Sequence, residues 1–387
     1  MTLSPPIEFI DSLPRLAAFC TALRGAEWLA VDTEFLRERT YYPRFCLLQV
    51  ASHSHVACID PLALHTLEPF AEVLFDPTIT KVLHSGRQDL EIFYRLWDRL
   101  PGPVFDTQIA APLVGLAEQI SYAGLVSELL GIALEKTHTR TDWSLRPLSE
   151  AQLRYAAEDV IYLGASYQAL RGRLEALGRL AWLEDDFSAL LNPNLYQISP
   201  GQAWQRIGGA QQLRGRALAA LQALAAWREE TAREQDLPRN WVIRDEVLLD
   251  LARLTPKTPE DLKRIRGMEE RTVKRHGNQL CRLLRKAQDQ PVQEAEIKPR
   301  PPRRTPDEEA LLDLLSAVVR LRAAEHSLNP SVLGGRKDLE QLLDQPEHCR
   351  LLTGWRKAMA GDELMAILRG ERLVDVKGGR LHVQHRS

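Results

Sequence analysis

Cysteine is scarce in this chain of 387 residues: five in all, at positions 20, 46, 58, 281 and 349, with no CxxC pair. An odd number without metal-ligand spacing or clustered histidines excludes a disulfide framework and a zinc site, and leaves the five as small core hydrophobes. Long uncharged apolar runs are missing too, so no segment reads as a membrane span, and the opening MTLSPPIEFIDSL lacks a basic start followed by an apolar stretch. A cytoplasmic protein with no membrane partner is expected. No GxGxxG follows the first apolar strand, which removes the dinucleotide-binding fingerprint. Net charge is nearly absent at -2, so bulk positive charge is not available to draw in a polyanion; any such attraction must be local.

What is present is an apolar share of 44% and a charged share of 26%, the balance of a globular protein long enough for two or three domains. The first ~190 residues alternate β-rich apolar runs with helical patterns, as in an α/β domain with helices packed on a sheet. WLAVDTEF (28–35), FCLLQVA (45–51), HVACID (55–60) and KVLHS (81–85) are expected strands. Only SHS separates the second from the third, which suits an antiparallel hairpin and predicts a mixed sheet. Beyond NPNLYQISPG (192–201) strand signals fade and helical periodicity takes over. The expected division is an α/β domain over 1–200, a helical module over 201–294, a basic proline-rich linker over 295–305, and a second helical module with a tail over 306–387.

Three acidic elements stand out. Asp32 and Glu34 close the first strong strand, and the two-residue strand period puts both carboxylates on one face, where they repel unless a hard cation neutralises them. In KVLHSGRQDLEIFYRLW a strand ends at a Ser-Gly turn and a helix begins with Asp89 in its first turn. LSEAQLRYAAEDVIYLGASYQAL (148–170) opens with Ser149 and Gln152 at capping-box spacing and carries Tyr155 and Asp159 four apart on one helical face. Singly, each has an ordinary explanation: a turn cap, a favourable charge at a helix start, a core tyrosine beside a surface aspartate.

Together, DTE, HSGRQDLEIF and YAAEDVIYL resemble the three motifs of the DEDD exonuclease superfamily, and the YxxxD form marks its tyrosine subclass. The likeness extends to ERTYYPRFCLLQV, VFDTQIAA and TRTDWSLRPL, so within that superfamily the chain is most similar to the ribonuclease D family. The resemblance implies a ribonuclease H-like mixed sheet with flanking helices, followed by two all-α modules. It implies a 3'→5' exoribonuclease that releases mononucleotides by phosphodiester hydrolysis with two divalent ions, Mg²⁺ or Mn²⁺, ~3.5–4 Å apart. Asp32, Glu34, Asp89 and Asp159 would be the metal ligands, Asp32 bridging both ions, with Tyr155 completing the catalytic set by orienting the attacking water. RNA is the implied partner, in particular tRNA precursors and other structured RNAs with free 3' ends, and one chain acting as a monomer suffices. His84, Arg140, Asp142 and Trp143 are candidates to line the substrate path, Arg140 on phosphate and Trp143 stacked on a base, against a competing reading of plain packing.

Residues 213–288 resemble an HRDC domain, and 306–376 a more diverged second copy. Within 261–286 nine Lys or Arg stand against three Asp or Glu, a local surplus that suits phosphate; Lys263, Arg264, Arg266, Arg271, Lys274 and Arg275 are the expected contacts. The tail VKGGRLHVQHRS fits either a short hairpin or a frayed end. Two other functions remain open on sequence: a DNA 3'→5' exonuclease, which shares the metal chemistry and differs in contacts to the 2'-hydroxyl, and a catalytically inactive nucleic-acid-binding protein.

Overall fold

The computed structural model describes residues 6–134, 141–289 and 304–386. It divides into two compact units that do not follow chain order. The first takes the N-terminal residues through Glu34, then Leu47–Asn192, and regains the chain from Pro302 onward; the second takes Phe35–Cys46 and Pro193–Pro301.

The first unit is built on a six-stranded sheet: β1 (Ile7–Ile10), β2 (Trp28–Leu36), β3 (Arg44–Ala51), β4 (Val56–Ile59), β5 (Thr80–Leu83) and β6 (Val104–Asp106), in the order β1-β4-β3-β2-β5-β6. β3 and β4 pair antiparallel, with Leu48 opposite Ile59 and Ala51 opposite Val56, whereas β1 runs parallel to β4, β2 to β5, and β5 to β6. The sheet is therefore mixed, as the short SHS connection predicts. β1 and β6 were not expected; runs of four and three residues are too short to show a strand period. Trp28–Val31 of β2 and Cys46–Ala51 of β3 are buried throughout, as strands covered on both faces must be.

The helix Glu150–Ala176 begins with the expected capping box: the Ser149 hydroxyl accepts from the Gln152 amide at 3.2 Å, and the Gln152 side chain accepts from the Ser149 amide at 2.8 Å. It lies against β2 at Gly164, where a Cβ would stand 2.4 Å from Cη2 of Trp28. That close approach brings Asp159 and Tyr155, about one and a half and two and a half turns earlier, toward the carboxyl end of β2.

The C-terminal helices, including Pro306–Glu325 and Arg336–Asp344, belong to this same unit. Arg179 donates to the carbonyls of Leu113 (2.6 Å) and His326 (2.5 Å), Asn329 donates its amide to Pro112 O (2.9 Å), and the rings of Trp182 and Trp355 stack at 4.4 Å. The tail forms a hairpin, β7 (Arg372–Lys377) with β8 (Arg380–His385), turning at Gly378 and Gly379, both at positive φ.

The second unit is helical. Gly215–Glu234, Asp245–Leu254 and Glu270–Asp289 enclose an apolar core that includes Leu221, Leu224, Trp227, Leu248, Leu251, Leu280 and Leu284. Tyr41, from the Phe35–Cys46 segment, is part of that core. The linker expected over 295–305 lies outside the described residues up to position 303.

Candidate active site

Asp32 and Glu34 sit near the carboxyl end of β2, and Asp159 reaches the same point from the long helix; one carboxylate oxygen from each lies within 4.8 Å of the other two. Parallel pairing sets Val82 of β5 beside Ala30 of β2, so β5 ends next to the stretch of β2 that carries Asp32, and the turn after β5 starts the helix Arg87–Trp97, which carries Asp89 in its first turn. Asp89 is not one of the close trio, but its charge bears on both Asp32 and Glu34. The four expected acids are thus brought to one place from three separate elements.

The electrostatics record the crowding. Burial, followed by the charges of Asp89, Asp159 and Glu34, holds the Asp32 carboxyl well above the usual range. Glu34 is pushed up to about 8, by burial and then by Asp159 and Asp89. Burial raises Asp159 to about 7, with Glu158 adding to it, and Asp89 to about 6, with the Thr33 hydrogen bond pulling the other way. Four acids that resist ionising together are poised for a positive charge, and an all-oxygen donor set suits a hard divalent cation.

Tyr155 is half-buried, and its phenol is pushed up to about 12 by burial and by Asp159, Glu34 and Asp32 in turn. Trp143 stacks on it, ring centroids 6.3 Å apart and planes 25° apart, and is only 4% exposed. The structure therefore gives the indole a packing role against Tyr155 rather than an open face for a base. Arg146 holds the loop, pairing with buried Asp60 through two bonds of 2.6 and 2.7 Å and donating to Trp143 O at 2.8 Å. Asp142 is exposed on the same loop and accepts from the Ser144 amide (3.0 Å) and hydroxyl (2.7 Å). His84 is also occupied within the domain: Nδ1 lies 2.9 Å from Thr107 Oγ1 and Nε2 lies 3.1 Å from Ile120 O, and burial lowers its pKa. Arg140 lies outside the described residues. In the second unit Lys263, Arg264, Arg266, Arg271, Lys274 and Arg275 are all exposed, with Lys274 paired to Glu270 at 3.1 Å.

Three residues that the sequence reading gave no role hold the acids in place. Thr33, between Asp32 and Glu34, donates its hydroxyl to Oδ1 of Asp89. Tyr122 donates to the carbonyls of Glu158 (3.1 Å) and Asp159, fixing the turn of helix that presents Asp159. Asp106 caps the helix after β6 and accepts from the amides of Ser85 (3.1 Å) and Gly86 (2.8 Å), pinning the turn that delivers Asp89. That turn needs its glycine, since a Cβ on Gly86 would meet Cβ of Leu83 at 2.6 Å. An Asp followed by a short helical run is a capping signal in the sequence; the phenol of Tyr122 leaves none.

Comparison with known proteins agrees with this geometry. A 3'-5' exonuclease family model matches residues 7–175, and an HRDC domain model matches 217–284. The chain is 39% identical over 384 residues to a Ribonuclease D of Granulibacter bethesdensis, spanning 97% of this chain and 96% of that protein. It is 41% identical over 374 residues to a Ribonuclease D of Pseudomonas paraeruginosa, spanning 94% and 98%. The crystal structure of Escherichia coli RNase D, an exoribonuclease involved in structured RNA processing, superposes with a TM-score of 0.80 at 35% identity over 94% of this chain and 99% of that one.

Proposed function

The chain belongs to the ribonuclease D family, and from that membership and the carboxylate geometry we propose that it hydrolyses RNA from the 3' end at a site made of Asp32, Glu34, Asp89, Tyr155 and Asp159. The observation that carries this reading is the convergence of Asp32, Glu34 and Asp159 within 4.8 Å, with every carboxyl raised by its neighbours or by burial.

Asp32, Glu34 and Asp159 would hold divalent cations, with Asp89 in support; two ions, Mg²⁺ or Mn²⁺, match the oxygen-only donors. Bound there, divalent cations make water acidic enough to supply a nucleophile at neutral pH and offset charge on the phosphoryl oxygens. The chain's own residues do the rest. Tyr155, with its phenol at about 12, keeps its proton near neutrality and orients water by hydrogen bonding rather than by abstracting a proton. Trp143 fixes the tilt of that ring by stacking on it. Thr33 and Asp106 steady Asp89, and Tyr122 steadies Asp159, so the carboxylates need little reorganisation when substrate arrives.

The exposed cations Lys263, Arg264, Arg266, Lys274 and Arg275 would hold the RNA backbone, as the HRDC match supports. Structured RNAs, including tRNA precursors with 3' extensions, are the proposed substrates, in keeping with the role stated for the Escherichia coli relative. Among the described residues no helix is long and apolar enough to cross a membrane; a monomer acting in the cytoplasm completes the reading. The test uses one structured RNA with a free or a blocked 3' end. Mononucleotides should appear from the free end alone, with Mg²⁺ or Mn²⁺, and stop with chelator. Internal cuts, or equal release from the blocked end, count against it. A matched DNA oligomer degraded faster than the RNA would favour the DNA exonuclease instead.

A further inference from the structure

The second unit contains a cavity of about 370 Å³ whose wall includes neither the four clustered acids nor any residue of the basic 263–275 stretch. That wall carries four arginines, Arg37, Arg206, Arg228 and Arg239, against two acids, Glu229 and Asp245. Both acids are already engaged. Glu229, 1% exposed, takes two hydrogen bonds from Arg239 at 2.6 and 2.8 Å and one from the Tyr41 hydroxyl, and Arg233 stands 3.6 Å away. Asp245 accepts from Arg228 at 2.6 Å.

Arg228 is the informative residue. It is 5% exposed, and its Nη1 bonds both Asp245 and the Ile243 carbonyl (3.0 Å), yet its buried Nε–H has no hydrogen-bond partner among the described residues. A guanidinium donor left without an acceptor in a buried setting costs free energy unless something supplies one. Arg206, which forms no ion pair among the described residues, stands exposed on the same wall; Arg37 is exposed there too and has interactions of its own. The arginines of the wall outnumber its acids by two, so positive charge is concentrated in a concave site whose rear is fixed. Tyr41 provides that fixity: its oxygen accepts from Arg239 (2.8 Å) and Arg233 (3.1 Å), and its ring lies under the Arg239 guanidinium at 4.5 Å.

We propose that this cavity is an anion site that seats a phosphate group, with Arg206 as its accessible donor, Arg228 as its buried one, and Arg37 adding charge at its wall. Guanidinium forks match phosphate oxygens in geometry as well as in charge, and arginine, not lysine, supplies every cation of this wall. The phosphate belongs either to a free nucleotide or to the backbone of a bound RNA; the recognition chemistry is the same. The proposal does not depend on whether the carboxylates cut RNA.

The experiment uses the full chain in chelator, so that no divalent cation links phosphate to the carboxylates. Inorganic phosphate, adenosine 5'-monophosphate, adenosine, and a single-stranded RNA decamer are titrated by calorimetry into the wild type, the double variant Arg37→Ala with Arg206→Ala, and Lys263→Ala with Arg264→Ala. Phosphate and the monophosphate should bind where adenosine does not, and the Arg37/Arg206 pair of substitutions should weaken them about tenfold or more, the loss of charge-assisted bonds, while the Lys263/Arg264 pair leaves them unchanged. Both variants alter exposed side chains, and an unchanged melting temperature verifies that the unit stays folded. A parallel loss of decamer affinity in the Arg37/Arg206 variant identifies the ligand as RNA backbone; retained decamer affinity identifies it as a free nucleotide. No binding of phosphate or monophosphate, or binding indifferent to Arg37 and Arg206, overturns the proposal.

Discussion

The hydroxyl of Thr33 donates a hydrogen bond to Oδ1 of Asp89, tying the first acidic motif to the second across 56 residues of chain. Thr33 is 6% exposed and Asp89 7%, so the bond is shielded from water and fixes one carboxylate oxygen. Removing the donor while keeping the shape isolates its role. Thr33→Val should lower nuclease activity and divalent-ion affinity by ~10–100-fold, the usual cost of losing an outer-shell partner, and Thr33→Ser should restore most of both. Calorimetric metal titration and mononucleotide release measure the pair of effects. An unaltered Thr33→Val enzyme would make the bond incidental.

Gly164 governs the placement of the third motif. A methyl group there would stand 2.4 Å from the Trp28 ring, so Gly164→Ala must push the long helix off β2. The expected cost is ~1–3 kcal/mol of stability, as for other overpacked cores. Activity should fall by more than that loss of folded protein explains, because Tyr155 and Asp159 ride on the displaced segment. Denaturant unfolding and steady-state kinetics on the same sample separate the effects; full specific activity in the folded fraction would contradict this placement.

Crowded carboxyls also set how stability changes with pH. Glu34 rises from 4.5 to about 8 and Asp159 from 3.8 to about 7 on folding, so the folded chain binds protons more tightly than the unfolded chain across that range. Stability of the metal-free protein must then decrease as pH rises from about 4.5 toward 8. Divalent cations should reverse this, raising the melting temperature more at pH 8 than at pH 5, because ligands have to be deprotonated to bind. Glu34→Gln should flatten the fall in chelator. A melting temperature that climbs toward pH 8 without metal, unchanged by the substitution, has the wrong sign.

Much of this site was legible because metal ligands must be acids and because strand and helix periods limit where they point. DTE at the end of an apolar run, and YxxxD on one helical face, carry Asp32, Glu34, Tyr155 and Asp159 directly. Asp89 was harder, since its position depends on the parallel pairing of β2 with β5 and on the amides that Asp106 accepts. Trp143 shows where residue type misleads: an indole near a nuclease site suits a base, but its partner is the Tyr155 ring, and only the fold of the Arg146–Asp60 loop decides that. The transfer of Phe35–Cys46 to the second unit left no trace in composition. The C-terminal helices join the first unit through backbone carbonyls, such as those of Leu113 and Pro112, which no side-chain pattern announces.

The exposed cations of the HRDC-matched region, residues 217–284, should act on binding and not on chemistry. Replacing Lys263, Arg264 and Arg266 by alanine should raise KM for RNA and leave kcat nearly unchanged. The slope of log affinity against log salt should lessen by roughly 0.7 for each phosphate of a single strand that the variant no longer neutralises. Filter binding over a series of salt concentrations gives the slope. Equal slopes for the two proteins would free these residues of any role in holding RNA.

The central claim is that Asp32, Glu34 and Asp159 hold divalent cations for hydrolysis while Tyr155 works beside them on water. The most direct measurement is calorimetric titration of Mn²⁺ paired with single-turnover RNA cleavage, on Asp32→Asn, Asp159→Asn and Tyr155→Phe, each verified as folded by its melting curve. The account predicts that both asparagine variants lose metal binding and cleavage together, whereas Tyr155→Phe binds metal normally and slows cleavage by ~10²-fold or more, the scale of a lost proton-positioning group. Normal Mn²⁺ binding and wild-type cleavage in Asp32→Asn or Asp159→Asn would contradict it.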